Sequence, residues 1–167
     1  MSLETRVSIA EAEQLVKEAF LRNGVEEAVA ESVSNALVAA EAEGQVGHGF
    51  SRVKDYLAQV KSKKINVDAK IKIERPKLTS ISIDADYGFA YPALDQAIFE
   101  GALTAKEYGS AIVSIFNSHH CGALSVQVEK IAKQGLIGVM MANTPKAIAP
   151  WGGKAVSYTH LTLPTSG

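Results

Sequence analysis

Ile9, Ala12, Leu15, Val16, Ala19 and Phe20 recur at helical spacing near the amino terminus, which predicts an opening amphipathic helix. Ser8 stands at its N-cap position and Glu11 follows three residues later, the spacing of a capping box in which two side chains satisfy otherwise orphaned amide donors. Asn23-Gly24 supplies the stop, because either residue tolerates the left-handed conformation at a helix end. A second helix is predicted from about Glu26 to Glu43, with Val29, Val33, Ala36, Leu37 and Ala40 on one face and Gly44 ending it. The first forty-odd residues therefore read as a helical hairpin.

After Gly47 a third amphipathic stretch carries Val53, Tyr56, Leu57 and Val60, and Lys61, Lys63 and Lys64 mark a solvated exit. The period then changes from helical to two. Ile71-Lys72-Ile73 and Ile81-Ser82-Ile83 alternate apolar with polar, separated by Pro76-Lys77, which predicts a β-hairpin or two neighbouring strands. Tyr87-Gly88-Phe89 reads as a turn. Leu94, Ala97, Ile98, Ala102 and Ala105 restore helical spacing from Tyr91 to Tyr108, closed by Gly109. The apolar run from Ala111 to Phe116 suits a buried strand; a helix near Ala123–Gln134 and a second buried run, Leu136–Met141, follow. Strand, crossover helix and strand of this length form a βαβ unit with parallel strands. The predicted class is α/β, with amino-terminal helices followed by βαβ units. Loops after the carboxyl ends of such strands are where ligands usually sit, and two segments occupy that position, Asn117–Gly122 and Asn143–Gly153. No repeat or linker divides residues 1–155, which read as one unit. Residues 156–167 do not continue the alternation of strand and helix and are expected to be a non-native tail.

The chain has 167 residues, 47% hydrophobic and 21% charged, enough for one domain with a real core. Its 17 Lys+Arg oppose 18 Asp+Glu, so no global positive field attracts a phosphate backbone, and a nucleic-acid partner is not expected. One cysteine, Cys121, cannot form an internal disulfide. Neither a signal peptide nor an apolar stretch long enough for a bilayer is legible. A cytoplasmic protein with small-molecule chemistry and no membrane contact is the expectation.

Three constellations could carry that chemistry. In Gly47-His48-Gly49-Phe50-Ser51-Arg52 a histidine and an arginine stand four apart at the start of a helix, so both can face one cavity. Arginine presents a planar fork that matches a carboxylate, and histidine exchanges a proton near neutral pH. A solvated helix start with an incidental basic pair is the plainer alternative. Asn117-Ser118-His119-His120-Cys121-Gly122 is the second. Adjacent side chains in an extended segment point oppositely, so one histidine is expected to face the site while the other supports it or packs. The spacing lacks the i,i+4 pairing of a helical zinc motif, and a clear carboxylate ligand is missing, so no metal is expected. Cys121 beside His120 is either a nucleophile or a small buried hydrophobe. The third, from Asn143 and Thr144 to Gly153, gathers amide, hydroxyl, ammonium and aromatic groups that could bind a polar cofactor or simply make a rigid connection. No Gly-x-Gly-x-x-Gly or Walker-type sequence follows a strand, so a Rossmann or P-loop site is not supported.

These stretches, in this order, resemble the malate/L-lactate dehydrogenase family, which includes ureidoglycolate, sulfolactate and diketogulonate reductases and the cyclic-imino-acid reductases and is unrelated to the Rossmann lactate dehydrogenases. The resemblance runs from about Ser8 to Lys154 and is strongest at Glu43–Arg52, Ser118–Gly122 and Ala149–Gly153. It implies a non-Rossmann fold and an oxidoreductase using NAD or NADP, which transfers a hydride between nicotinamide and C2 of a small 2-hydroxy or 2-oxo acid or cyclic imino acid. By that resemblance His48 corresponds to a proton donor in some members and His120 to a proton acceptor in others. Arg52 corresponds to the arginine that grips the substrate carboxylate, and Thr144, beside Asn143, to a position contacting the dinucleotide. Gly47 stands where the family commonly has serine, so a serine-to-histidine relay cannot operate there, and either another group orients His48 or His120 takes the main acid/base role. Family chains are about twice as long and usually homodimeric, so residues 1–155 are expected to be the amino-terminal part of such a fold. The competing expectation is a non-catalytic α/β module in which His48, Arg52 and His120 hold a small anion.

Overall fold

The computed structural model describes residues 6–143. Three helices come first: α1 (Ile9–Leu21), α2 (Glu27–Ala42) and α3 (Ser51–Lys61). The predicted capping box is formed, with Ser8 Oγ accepting from Glu11 N–H and the Glu11 carboxylate accepting from Ser8 N–H. Ala12, Val16 and Phe20 of α1 are buried against Ala30, Val33 and Leu37 of α2 in the main core, joined there by Tyr56 and Val60 of α3.

Strands β1 (Lys72–Lys77) and β2 (Ser80–Asp84) are antiparallel, and β3 (Ile112–Phe116) lies parallel to β2 in a three-stranded sheet of order β1-β2-β3. The hairpin is present, but its turn falls at Leu78-Thr79 rather than at Pro76-Lys77. Pro76 stays in β1 because this is an edge strand, where a missing N–H breaks no necessary ladder bond, and the register shifts between Glu74 and Lys77. Helix α4 (Ala90–Tyr108) connects the parallel pair and ends at Gly109, whose φ of 88° is the left-handed conformation that glycine adopts without steric cost. Ile81, Ile83 and Ala85 pack beneath Ala93 and Ala97 of α4 in a second core.

The βαβ unit is therefore β2-α4-β3, which corrects the expected placement one unit later in the chain. Helix α5 (Leu124–Ala132) follows β3, but residues 136–143 join no ladder. Their burial alternates: Met140 packs on the main core while Ile137, Val139 and Met141 are exposed. Nor is β3 the buried strand its composition predicts. It is an edge of the sheet, and Ile112 and Phe116 are 75% and 48% exposed. The βα alternation is otherwise as expected for a mixed α/β chain. The proposed boundary at 155 and the tail 156–167 lie outside the described residues. Among the described residues, no helix is long and apolar enough to cross a membrane.

Candidate active site

Two loops meet at one face of α3. The first, between α2 and α3, is fastened by its own side chains: Ser51 Oγ donates to Val46 O at 2.6 Å and Arg52 Nε donates to Gly47 O at 2.6 Å. Glu41 reaches across from α2, and its carboxylate accepts the Phe50 N–H at 2.8 Å, satisfying a donor at the start of α3. Gly49 makes this possible, because a Cβ there would collide with the Glu41 side chain and approach its Cα within 3.0 Å. The second loop follows β3. Asn117 Nδ2 donates to Asp84 at 3.1 Å, Tyr87 N–H donates to Asn117 O at 2.7 Å, and His119 N–H donates to Gly88 O at 3.1 Å. These bonds latch residues 117–119 onto the turn after β2.

Arg52, Asp55, Tyr56 and Gln59 stand at i, i+3, i+4 and i+7 on α3, a single helical face. With Ala58, Lys64, His119 and His120 they line an open cleft of about 430 Å³. The two adjacent histidines take different partners and both line this cleft. His119 donates from Nε2 to Gln59 Oε1 at 2.8 Å, and its Nδ1 is buried without a partner among the described residues. His120 Nδ1 lies 2.7 Å from the Tyr56 hydroxyl, which in turn lies 3.1 Å from the Tyr91 hydroxyl. The Gly122 N–H also points at His120 Nδ1, at 3.3 Å. His48 is not part of the cleft lining, yet its ring stacks on that of His120 with centroids 5.6 Å apart and planes 22° from parallel. The His48 backbone N–H donates to Gln45 O at 2.8 Å, and the stacking on His120 is the ring contact found in place of the family's serine.

Burial first, and nearby fixed cations after it, lower the proton affinity of these rings. Burial, then the Arg52 guanidinium, then His48 and His119 push the His120 imidazole down to about 4. Burial and Arg52 lower His48, and burial and Lys64 lower His119. The same burial raises the phenols of Tyr56 and Tyr91, so both stay protonated. It also raises the Cys121 thiol, the opposite of what a nucleophilic cysteine requires, and Cys121 packs, partly buried, against the main core, which favours the packing alternative. Arg52 uses Nε for the loop, and its outer edge meets Asp55 only at 3.8 Å, leaving most of the fork for a ligand. No group of three or more potential metal ligands occurs among the described residues.

Arg52, His48 and His120 are thus brought together. Asn143 is exposed; Thr144 lies outside the described residues. Sequence reasoning placed Tyr56 on an apolar helix face without giving its hydroxyl a function and passed over Gln59 and Tyr91. The available signal was chemical, since a tyrosine in a buried stripe must find a hydrogen-bond partner.

Residues 7–160 match the sequence profile described as malate/L-lactate dehydrogenase. The chain belongs to this family. Among its relatives, the (2R)-3-sulfolactate dehydrogenase (NADP(+)) of Chromohalobacter salexigens is 39% identical over 152 residues, covering 91% of this chain and 45% of that protein. The Delta(1)-pyrroline-2-carboxylate/Delta(1)-piperideine-2-carboxylate reductase of Pseudomonas putida is 31% identical, covering 92% of this chain and 45% of its own. The fold is similar to the crystal structure of delta1-piperideine-2-carboxylate reductase from Pseudomonas syringae, with a TM-score of 0.84 and 30% identity over 92% of this chain and 47% of that one. Malate dehydrogenase from Pyrococcus horikoshii superposes with a TM-score of 0.83 at 30% identity, covering 89% of this chain and 43% of that one. The chain spans somewhat less than half the length of these members of the malate/L-lactate dehydrogenase family. The non-Rossmann, mixed α/β architecture expected from the resemblance is the family's own.

Proposed function

We propose that this chain carries the substrate side of an NAD- or NADP-dependent oxidoreductase, which moves a hydride between nicotinamide and C2 of a small 2-hydroxy or 2-oxo acid or a cyclic imino acid. The observation that carries the reading is the convergence of Arg52 with the stacked pair His48 and His120 beside one cleft. Relatives named as NADP(+)- and NAD(+)-dependent dehydrogenases support the cofactor class.

The described residues fit one end of such a cofactor. The cleft lies in the usual range for small-ligand sites, and Lys64 and Arg52 give it cationic walls. Asn143 and Thr144 are the residues assigned to hold the dinucleotide, and the exposed Asn143 amide offers both a donor and an acceptor. When bound, the nicotinamide supplies or accepts the hydride.

The remaining work falls to side chains of this chain. Arg52 grips the carboxylate through its free outer edge and fixes the orientation of C2, a role for which its planar fork is suited. His48 and His120 handle the proton on the C2 oxygen, or on the nitrogen of an imine, and acid/base help of this kind contributes about 10²–10⁴-fold. As a neutral imidazole, His48 suits withdrawal of a proton in the oxidising direction. A homodimer of the complete protein belongs to the same reading, supported by the apolar residues left exposed on this chain.

Steady-state assays of the complete protein with both cofactors against a panel of 2-oxo acids and cyclic imino acids test this. Turnover is expected, and Arg52→Lys should raise KM by about ten- to a hundredfold, the equivalent of about 1.5–3 kcal/mol of charge-assisted hydrogen bonding. An unchanged KM would remove Arg52 from the carboxylate site, and anion binding with no turnover would favour the non-catalytic module.

A further inference from the structure

The hydroxyl chain behind His120 has a direction. Gly122 N–H can only donate, and it points at His120 Nδ1, so Nδ1 is an acceptor. Tyr56, 2.7 Å from the same nitrogen, must then donate its proton to it, and its oxygen is left to accept from Tyr91 at 3.1 Å. Both hydroxyl hydrogen bonds therefore run one way, from Tyr91 through Tyr56 to the ring, and the Gly122 N–H donates to the same nitrogen. With Nδ1 occupied, the imidazole proton resides on Nε2, which makes no hydrogen bond among the described residues, and His120 lines the cleft.

We infer that Tyr56 and Tyr91 are positioning residues that lock His120 as its Nε2–H tautomer, so that His120 enters the substrate site as a hydrogen-bond donor rather than as a base. This rests on the reading of the cleft as the substrate site. It assigns a function to two tyrosines that would otherwise be core residues.

The chain is a lock and not a proton wire. Passing a proton from Nε2 to substrate while Nδ1 takes one from Tyr56 and Tyr56 takes one from Tyr91 would leave a tyrosinate at Tyr91, which is 1% exposed. Burial strongly opposes that charge. Nor does the ring readily become imidazolium, since its burial, and after that the Arg52 guanidinium facing it, disfavour a positive charge there. A neutral Nε2–H aimed at the C2 oxygen polarises it without giving up the proton, a device known for neutral histidines in other active sites. Gly122 completes the arrangement: its φ is +69°, and a Cβ there would come within 2.5 Å of the Tyr91 hydroxyl.

Long-range 1H–15N correlation spectra of this chain labelled at histidine read the tautomer directly, without substrate or cofactor. The result therefore stands apart from the outcome of the Arg52 assay. His120 is expected to show a protonated Nε2 and a bare Nδ1 at neutral pH. Tyr56→Phe, which removes only the hydroxyl, should shift the His120 titration midpoint upward and admit the Nδ1–H form. Tyr91→Phe, by freeing Tyr56 to reverse, should shift it in the same direction by less. A protonated Nδ1 in the unaltered chain, or a tautomer and midpoint unmoved in both variants, would overturn the lock.

Discussion

At the scale of single residues the site depends on close approaches that only small or neutral groups permit. Gly122→Ala would force an L side chain into a left-handed backbone and press its Cβ on the Tyr91 hydroxyl. It should lower stability by about 1–3 kcal/mol, read as a fall in urea midpoint with unchanged m-value. Gly47 is the contrasting case: a Cβ there meets nothing within 4 Å, so Gly47→Ser should leave the midpoint within about 0.5 kcal/mol of the parent. The depressed imidazoles set a pH dependence whose sign is fixed by linkage. Folding lowers His119 and His120, the latter to about 4, so the unfolded chain binds more protons below the ordinary histidine value of about 6.5. Their contribution is present above that value and is lost as pH falls toward 4. Urea midpoints measured across this window should decline, and His120→Asn should flatten the decline. Arg52, His48 and His120 were legible as candidates from residue type, but spacing alone favoured the solvated helix start, and it was the resemblance of three stretches taken together that singled them out. Tyr56, Tyr91 and Gln59 were not, because at helical spacing a buried ring looks the same whether or not its hydroxyl serves a neighbour.

Elements are placed by a few polar ties across otherwise apolar contacts. Asp95 of α4 accepts from Ser32 Oγ of α2 at 2.5 Å and from Lys130 Nζ of α5 at 2.7 Å, so one carboxylate holds three helices. Helix α5 begins just after the loop bearing His120, and Asp95→Ala should therefore loosen α5 before it loosens α1. Both Asp95 and Lys130 are partly exposed, so the global cost should stay below about 1 kcal/mol. Hydrogen exchange is the sensitive readout: faster exchange is expected in α5, with α1 amides unchanged, and equal acceleration in both would remove Asp95 from this role. Helix ends and periods were read well from sequence, since Ser8, Glu11, Gly44 and Gly109 act locally. The identity of the βαβ unit was not. Leu136–Met141 has the composition of a buried strand, but ladder formation needs a neighbour in register, and a run of apolar residues does not say which edge will be free to receive it.

For the whole molecule β3 is one of two sheet edges, the other being β1; it pairs only with β2 and leaves its other side without a ladder partner among the described residues. Ile112 and Phe116 stand on one exposed face of that strand. On α4, Phe99 and Leu103, four residues apart, are 58% and 51% exposed, and Ile137 is 99% exposed. Isolated apolar side chains at a surface are ordinary, but Ile112 and Phe116 on an open strand edge offer both a backbone template and an apolar face to another chain. Covering that face is favourable at roughly 25 cal/mol per Å² of apolar surface removed from water, and the net charge of −1 gives little repulsion to oppose it. This 167-residue chain should therefore self-associate as its concentration rises, with a mean mass by light scattering above that of the monomer. Replacing Ile112 and Phe116 together by lysine puts two like charges on the strand that the association would use, without touching either core. The double variant should scatter as a monomer at concentrations where the parent does not. A parent chain that remains monomeric throughout would show that neither the edge nor its exposed apolar side chains are sticky enough to matter.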